Sequence, residues 1–131
     1  MPLIPIPPAY IFIYSNLSGS LTTTVTAYCG LSGGFDIVEA QAQAACPRDG
    51  VLKTLMFKAR ANTRSTDLVI TIRKNGADTA LTVTITPGST AVFLDTAHRV
   101  AVARGDLINF VAVGSGGTGA VTGFTFSVEL E

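Results

Sequence analysis

Residues 67–86, DLVITIRKNGADTALTVTIT, constrain this chain more than any other stretch. Leu68, Ile70 and Ile72 alternate with Val69, Thr71 and Arg73; Leu81, Val83 and Ile85 alternate with Ala80, Thr82, Thr84 and Thr86. Side chains alternate across a strand, so each run builds one apolar and one polar face. Asn75-Gly76 joins the runs, and both residue types accept the positive φ of a tight hairpin turn. The pattern predicts a β-hairpin. A two-residue loop would set Ile70 opposite Leu81 and Leu68 opposite Val83. A four-residue loop, residues 75–78, would set Ile72, Ile70 and Leu68 opposite Leu81, Val83 and Ile85; it is favoured because it matches three apolar pairs. A three-residue loop would pair Ile70 with Thr82 and would need a bulge.

The same period continues along the chain. Residues 10–14 (YIFIY) read as a strand with Tyr10, Phe12 and Tyr14 on one face, and residues 15–20 as a turn. Residues 21–29 alternate Leu21, Thr23, Val25, Ala27 and Cys29 against threonines and Tyr28, a strand with a wettable face that carries no charge. Residues 35–46 contain EAQAQAA, helix-prone by propensity but strictly alternating, and are expected as a strand. Residues 51–61 follow, with Val51, Leu55, Phe57 and Ala59 inward and Lys53 at the rim. Then come short strands at 91–94 and 99–103, a strand at 107–113, a glycine-rich loop at 114–120, and a last strand at 121–130 with Phe124, Phe126, Val128 and Leu130 inward. Nine or ten short strands without a confident helix predict an all-β antiparallel sandwich or barrel.

At 131 residues the chain fits one domain, expected over 10–131 behind an extended, proline-rich arm of residues 1–9. Lys+Arg and Asp+Glu both count nine, so neither nucleic acid nor an acidic membrane surface finds the basic surplus it would need. Only 14% of residues are charged, and residues 1–35 and 114–128 carry no charge at all. So little surface charge points to burial against other chains. No apolar run approaches a membrane span, and the prolines at 2, 5, 7 and 8 speak against a signal-peptide helix. The arm is either loose or docked on a neighbouring subunit, because Leu3, Ile4 and Ile6 are costly to leave in water.

Residues that could carry chemistry are isolated. His98 is the single histidine and has no neighbouring cysteine or paired carboxylates, so it reads as a polar loop residue. Arg104-Gly105-Asp106 spells an adhesion tripeptide but also a tight turn entering an apolar strand, and the turn is expected. The glycine run at 114–119 lies between strands, where a phosphate loop would need a helix and a lysine. Asp36, Glu39, Asp49, Asp67, Asp78, Asp95 and Asp106 sit singly and are expected as local caps. Cys29 and Cys46 are expected as buried free thiols, with one disulfide the alternative. No catalytic centre, cofactor or metal is expected.

Three segments carry a resemblance: Gly50-Val51-Leu52, Arg73-Lys74-Asn75-Gly76, and Val100-Ala101-Val102-Ala103-Arg104-Gly105-Asp106. They resemble the jelly-roll modules of tailed-phage structural proteins and the heads of spore-surface collagen-like proteins, within the complement-C1q/tumour-necrosis-factor group. The resemblance covers about half of the chain. It implies a two-sheet jelly-roll β-sandwich that forms homotrimers and acts as a structural or attachment module. The leading expectation is a non-enzymatic capsid decoration (cement) protein on the surface of a bacteriophage head, with the major capsid protein as partner. Its expected contact residues are Pro2, Leu3, Ile4, Pro5, Ile6, Tyr10, Phe12, Phe124 and Phe126. The alternative is a receptor- or glycan-binding tip of a tail fibre or spike, which the absence of Trp and a count of three Tyr disfavour. A third reading is a bacterial C1q-like surface module; no collagen-like Gly-X-Y stretch precedes the domain in this sequence, which disfavours it.

Overall fold

The computed structural model describes residues 10–22, 26–30, 35–36 and 38–131, with side chains at 20–21, 26–30 and 38–131. Ten strands run in chain order: β1 (Tyr10–Thr22), β2 (Thr26–Cys29), β3 (Phe35–Asp36), β4 (Ala44–Ala45), β5 (Gly50–Asn62), β6 (Leu68–Lys74), β7 (Ala77–Ile85), β8 (Phe93–Val102), β9 (Leu107–Gly114) and β10 (Ala120–Leu130). One 3₁₀ turn, Glu39–Gln41, interrupts them. Two antiparallel sheets face each other: β1-β10-β5-β8, and β3-β2-β9-β6-β7 with β4 also pairing β9. This is an antiparallel sandwich, one of the two architectures that the alternation allows, in the two-sheet jelly-roll form that the resemblance implies.

The hairpin satisfies both of its registers. Lys74 pairs with Ala77, so the loop is the two-residue Asn75-Gly76, with φ of 51° and 79°. Further down, Ile70 pairs with Val83 and Leu68 with Ile85, the apolar matches expected of the longer loop. A register shift between Thr71 and Arg73 reconciles them: two extra residues of β7 bulge out, and Thr79 Oγ1 donates to the Ile72 carbonyl (2.7 Å) inside the bulge. Leu68, Ile70, Ile72, Leu81, Val83 and Ile85 are all buried.

Other departures have the same origin. Residues 15–20 are not a turn: β1 runs on to Thr22 along β10, with an irregularity between Asn16 and Ser20. The strand expected at 21–29 is divided, Leu21 and Thr22 belonging to the first sheet and Thr26–Cys29 to the second. In β5 the extra residue is Thr54, at φ 55°, a costly conformation for a β-branched side chain. It flips the phase, so Leu52 rather than Val51 joins Leu55, Phe57 and Ala59 inside. The two short strands at 91–103 are one, β8, bulged where Leu55–Asp95 and Lys53–Arg99 pairing fall out of step. Residues 35–46 are not one strand. The two-residue β3, the 3₁₀ turn and the two-residue β4 replace it, because Glu39 turns down to meet Arg73.

The core is closed by four phenylalanines. Phe126 lies 5.1 Å from Phe57, 5.1 Å from Phe110 and 5.2 Å from Phe124, ring centre to ring centre. Phe57, Phe124 and Phe126 come from one sheet and Phe110 from the other, so the stack fastens the layers together. Removing the Phe126 ring leaves a cavity at this junction. Phe126→Ala is expected to destabilise the fold by roughly 3–5 kcal/mol, read as a lower urea midpoint with unchanged slope.

Candidate partner-binding face

The two outer sheet faces differ. Over β6 and β9 the segment after β3 folds down: Glu39 Oε2 and Oε1 accept from Arg73 Nε (2.6 Å) and Nη2 (3.2 Å), and Asp78 Oδ1 accepts from Arg73 Nη1 (2.6 Å). The guanidinium also sits 5.8 Å from the centre of the Tyr28 ring. Asn109 is buried beneath, its Nδ2 3.4 Å from Glu39 Oε2. This clip covers part of the β9 outer side.

The outer face of β1-β10-β5-β8 has no such cover among the described residues. Met56 pairs with Leu94 across β5 and β8, and both point outward, as does Val92 just before β8. Leu94 and Val92 are about half exposed, at 50% and 49%. Between Met56 and Val92 on one side and Gly123, Thr125 and Ser127 of β10 on the other lies a mainly apolar groove of about 350 Å³, with Lys58 and Arg60 also at its wall. One end of the face is charged and internally paired: Lys53 contacts Glu131 and, at 4.0 Å, Glu129, while Arg99 Nη2 reaches Glu131 Oε2 at 3.4 Å. An apolar centre with a paired polar margin is the anatomy of a protein interface.

Phe124 and Phe126, expected as partner contacts, are corrected: both are 0% exposed and belong to the core. Their outward neighbours on β10 are Thr125 and Ser127. Tyr10 and Phe12 lie on β1 opposite Leu130 and Val128, with their side chains outside the described set. Pro2, Leu3, Ile4, Pro5 and Ile6, and with them the arm, lie outside the described residues. The contact reading missed Met56, Val92 and Leu94. The signal was present for Met56, because placing Leu55, Phe57 and Ala59 inward puts it outward.

The isolated polar residues are local fasteners. Asp95, though buried, accepts from the N–H groups of Thr82 (3.1 Å), Ala97 (3.0 Å) and His98 (3.2 Å), and from His98 Nδ1 (2.8 Å). It therefore fills the bulge of β8 and ties β8 to β7 across the open side of the sandwich. Burial alone would raise its pKa; the His98 ring and the three backbone donors outweigh that and hold it below the usual carboxylate value. Arg104-Gly105-Asp106 is a turn, as expected. Asp106 Oδ2 accepts from Ala103 N–H (2.8 Å) and Oδ1 from Asn75 Nδ2 (3.0 Å), so both of its oxygens are engaged. Cys29 and Cys46 are buried free thiols, and burial pushes the Cys29 pKa up to about 12. Among the described residues no three metal-ligating side chains cluster.

No family model matches the chain, and no curated protein matches it. Among solved structures it is similar to the globular domain of zebrafish complement 1qA protein, at 12% identity and a TM-score of 0.50. That likeness spans 94% of this chain and 95% of that one. It is a likeness of fold, and it agrees with the jelly-roll group that the sequence resembles. A weaker match, at 19% identity and a TM-score of 0.42, is a Paenibacillus cycloisomaltooligosaccharide glucanotransferase complexed with cycloisomaltoheptaose. It spans 90% of this chain but 18% of that enzyme, and no conclusion is built on it.

A depressed carboxylate stabilises the fold above its unfolded pKa, about 4, and that contribution is lost as pH falls through the folded value. Asp95→Asn is expected to cost about 1–3 kcal/mol at pH 7, and the gap to wild type should narrow as the pH falls through and below the ordinary carboxylate range. Thermal melts from pH 7 to pH 2 check this.

Proposed function

We propose that this chain is a non-enzymatic virion structural protein: a homotrimer on the surface of a bacteriophage head that stabilises the shell by gripping the major capsid protein. The observation that carries self-association is the uncovered apolar strip Met56–Leu94–Val92 on the four-stranded sheet. Leaving it in water is unfavourable, and in a closed threefold ring each copy covers the strip with a different part of the next copy's surface. The jelly-roll fold and the phage-module motifs at residues 50–52, 73–76 and 100–106 support the virion setting. The apolar arm of residues 1–9, attached at the edge strand β1, supports a role in reaching the capsid. Neutral overall charge supports a protein partner over nucleic acid.

A particle mass of three times 13.6 kDa is expected by light scattering. Leu94→Glu places a charge in the strip without touching the core. It should give a folded monomer, with a circular dichroism spectrum like wild type; a trimer that survives it removes this face from the interface. Deleting residues 1–9 should leave the trimer intact and lower its occupancy on virions, together with capsid heat resistance. Unchanged occupancy would sink the gripping role of the arm.

A further inference from the structure

Arg64 lies in the loop between β5 and β6 and is 3% exposed. Its backbone N–H donates to Asn62 Oδ1 (3.0 Å), and its Nη2 donates to the Asp67 carbonyl (3.1 Å). Nε and Nη1, which carry three N–H donors between them, meet neither an acceptor nor solvent. No ion pair among the described residues includes Arg64. Burial pulls its pKa below the ordinary arginine value, as expected of a cation without a counter-charge. A guanidinium stays charged near neutral pH, and an uncompensated buried charge is among the most unfavourable features a fold can contain. Water could occupy the donors but would leave the charge unbalanced; an anion does both.

The neighbourhood supplies an entrance, and donors that an anion could take over once their present bonds open. The Thr63–Thr66 backbone is laced to the glycine-rich turn. Ser65 N–H donates to the Thr118 carbonyl (2.9 Å), Thr118 N–H to Ser65 Oγ (2.8 Å), and Thr66 Oγ1 to the Gly116 carbonyl (2.5 Å). Gly119 has φ of 84°, and a Cβ there would collide with the Thr63 backbone, so only glycine lets the two segments lie this close. A largely exposed turn held by a few polar bonds opens locally far more readily than the sheets do.

We propose that Arg64 is the charged group of a binding site for one small oxyanion per chain, of the phosphate or sulfate class, entered when the turn at residues 115–119 lifts from residues 63–66. The site is independent of self-association. Full-length protein titrated with sodium phosphate, and separately with sodium sulfate, is compared with sodium chloride at equal ionic strength. Calorimetry should show one site per chain, and the melting temperature should rise saturably, by roughly 5–10 °C at a hundredfold excess over Kd. Arg64→Met should abolish the rise and, without anion, melt no lower than wild type. Arg64→Lys keeps the charge but loses the planar fork, and should weaken binding at least tenfold. Absence of binding heat in wild type, an equal rise in wild type and Arg64→Met, or full affinity in Arg64→Lys would each overturn the site. So would a large loss of anion-free stability in Arg64→Met, which would mean that the chain itself satisfies the guanidinium.

Discussion

The contact of Phe126 with Phe57, Phe110 and Phe124 is what the rest of the structure depends on. Aliphatic side chains line both inner faces, but these rings span the junction between sheets and set how closely the layers approach. The contact belongs to the last strand, which turns Phe124, Phe126, Val128 and Leu130 inward and lies between β1 and β5. The outer faces then become available for other purposes. One is clipped by the Glu39–Arg73 pair, and the other remains as a surface of hydroxyls around an apolar strip.

The fold class was legible because period-2 alternation is a direct record of which side each residue faces. It read correctly for β6, β7 and β10, and it placed Leu55, Phe57 and Ala59 inside. It failed wherever a bulge inserted residues, since a bulge changes the phase without changing composition. Thr54 is a case in point: nothing about Thr in a Lys-Thr-Leu run announces a left-handed backbone. At residues 35–46 the alternation of Ala and Gln was overruled by a single long-range ion pair, Glu39 to Arg73, which local pattern cannot contain. The candidate face was less legible than the fold. Aromatic character drew attention to Phe124 and Phe126, whereas the exposed residues are the aliphatic Met56, Val92 and Leu94; the outward side of Met56 was legible, but the strip emerges only once strand pairing sets 56 beside 94.

Polar side chains in this protein serve mainly to repair irregular backbone. Asp95 fills the bulge of β8. Thr79 fills that of β7. Asp106 and Asn75 lock two turns together, with Asn75 Oδ1 accepting from Leu107 N–H at 2.9 Å. Many of the few charges have a defined structural partner, as Glu39, Arg73, Asp95 and Asp106 do, and much of the surface is left to threonine and serine. Such a surface tolerates close approach by another protein, since hydroxyls lose little on desolvation compared with lysine or glutamate. Arg64 is the exception, a charge placed inward with nothing described to balance it.

The central position of β10 has a consequence for how the protein comes into being. Until β10 has been synthesised, β1 and β5 have no strand between them, and of the first sheet only the β5–β8 pair can form. The second sheet is under no such restriction, because β6, β7 and β9 are complete before β10 leaves the ribosome. A growing chain would therefore hold one finished layer with its inner face only partly covered, waiting for the strand that joins β1 to the β5–β8 pair. In that interval exposed Leu, Ile and Val side chains are open to wrong partners, a window that widens when synthesis of β10 is slow.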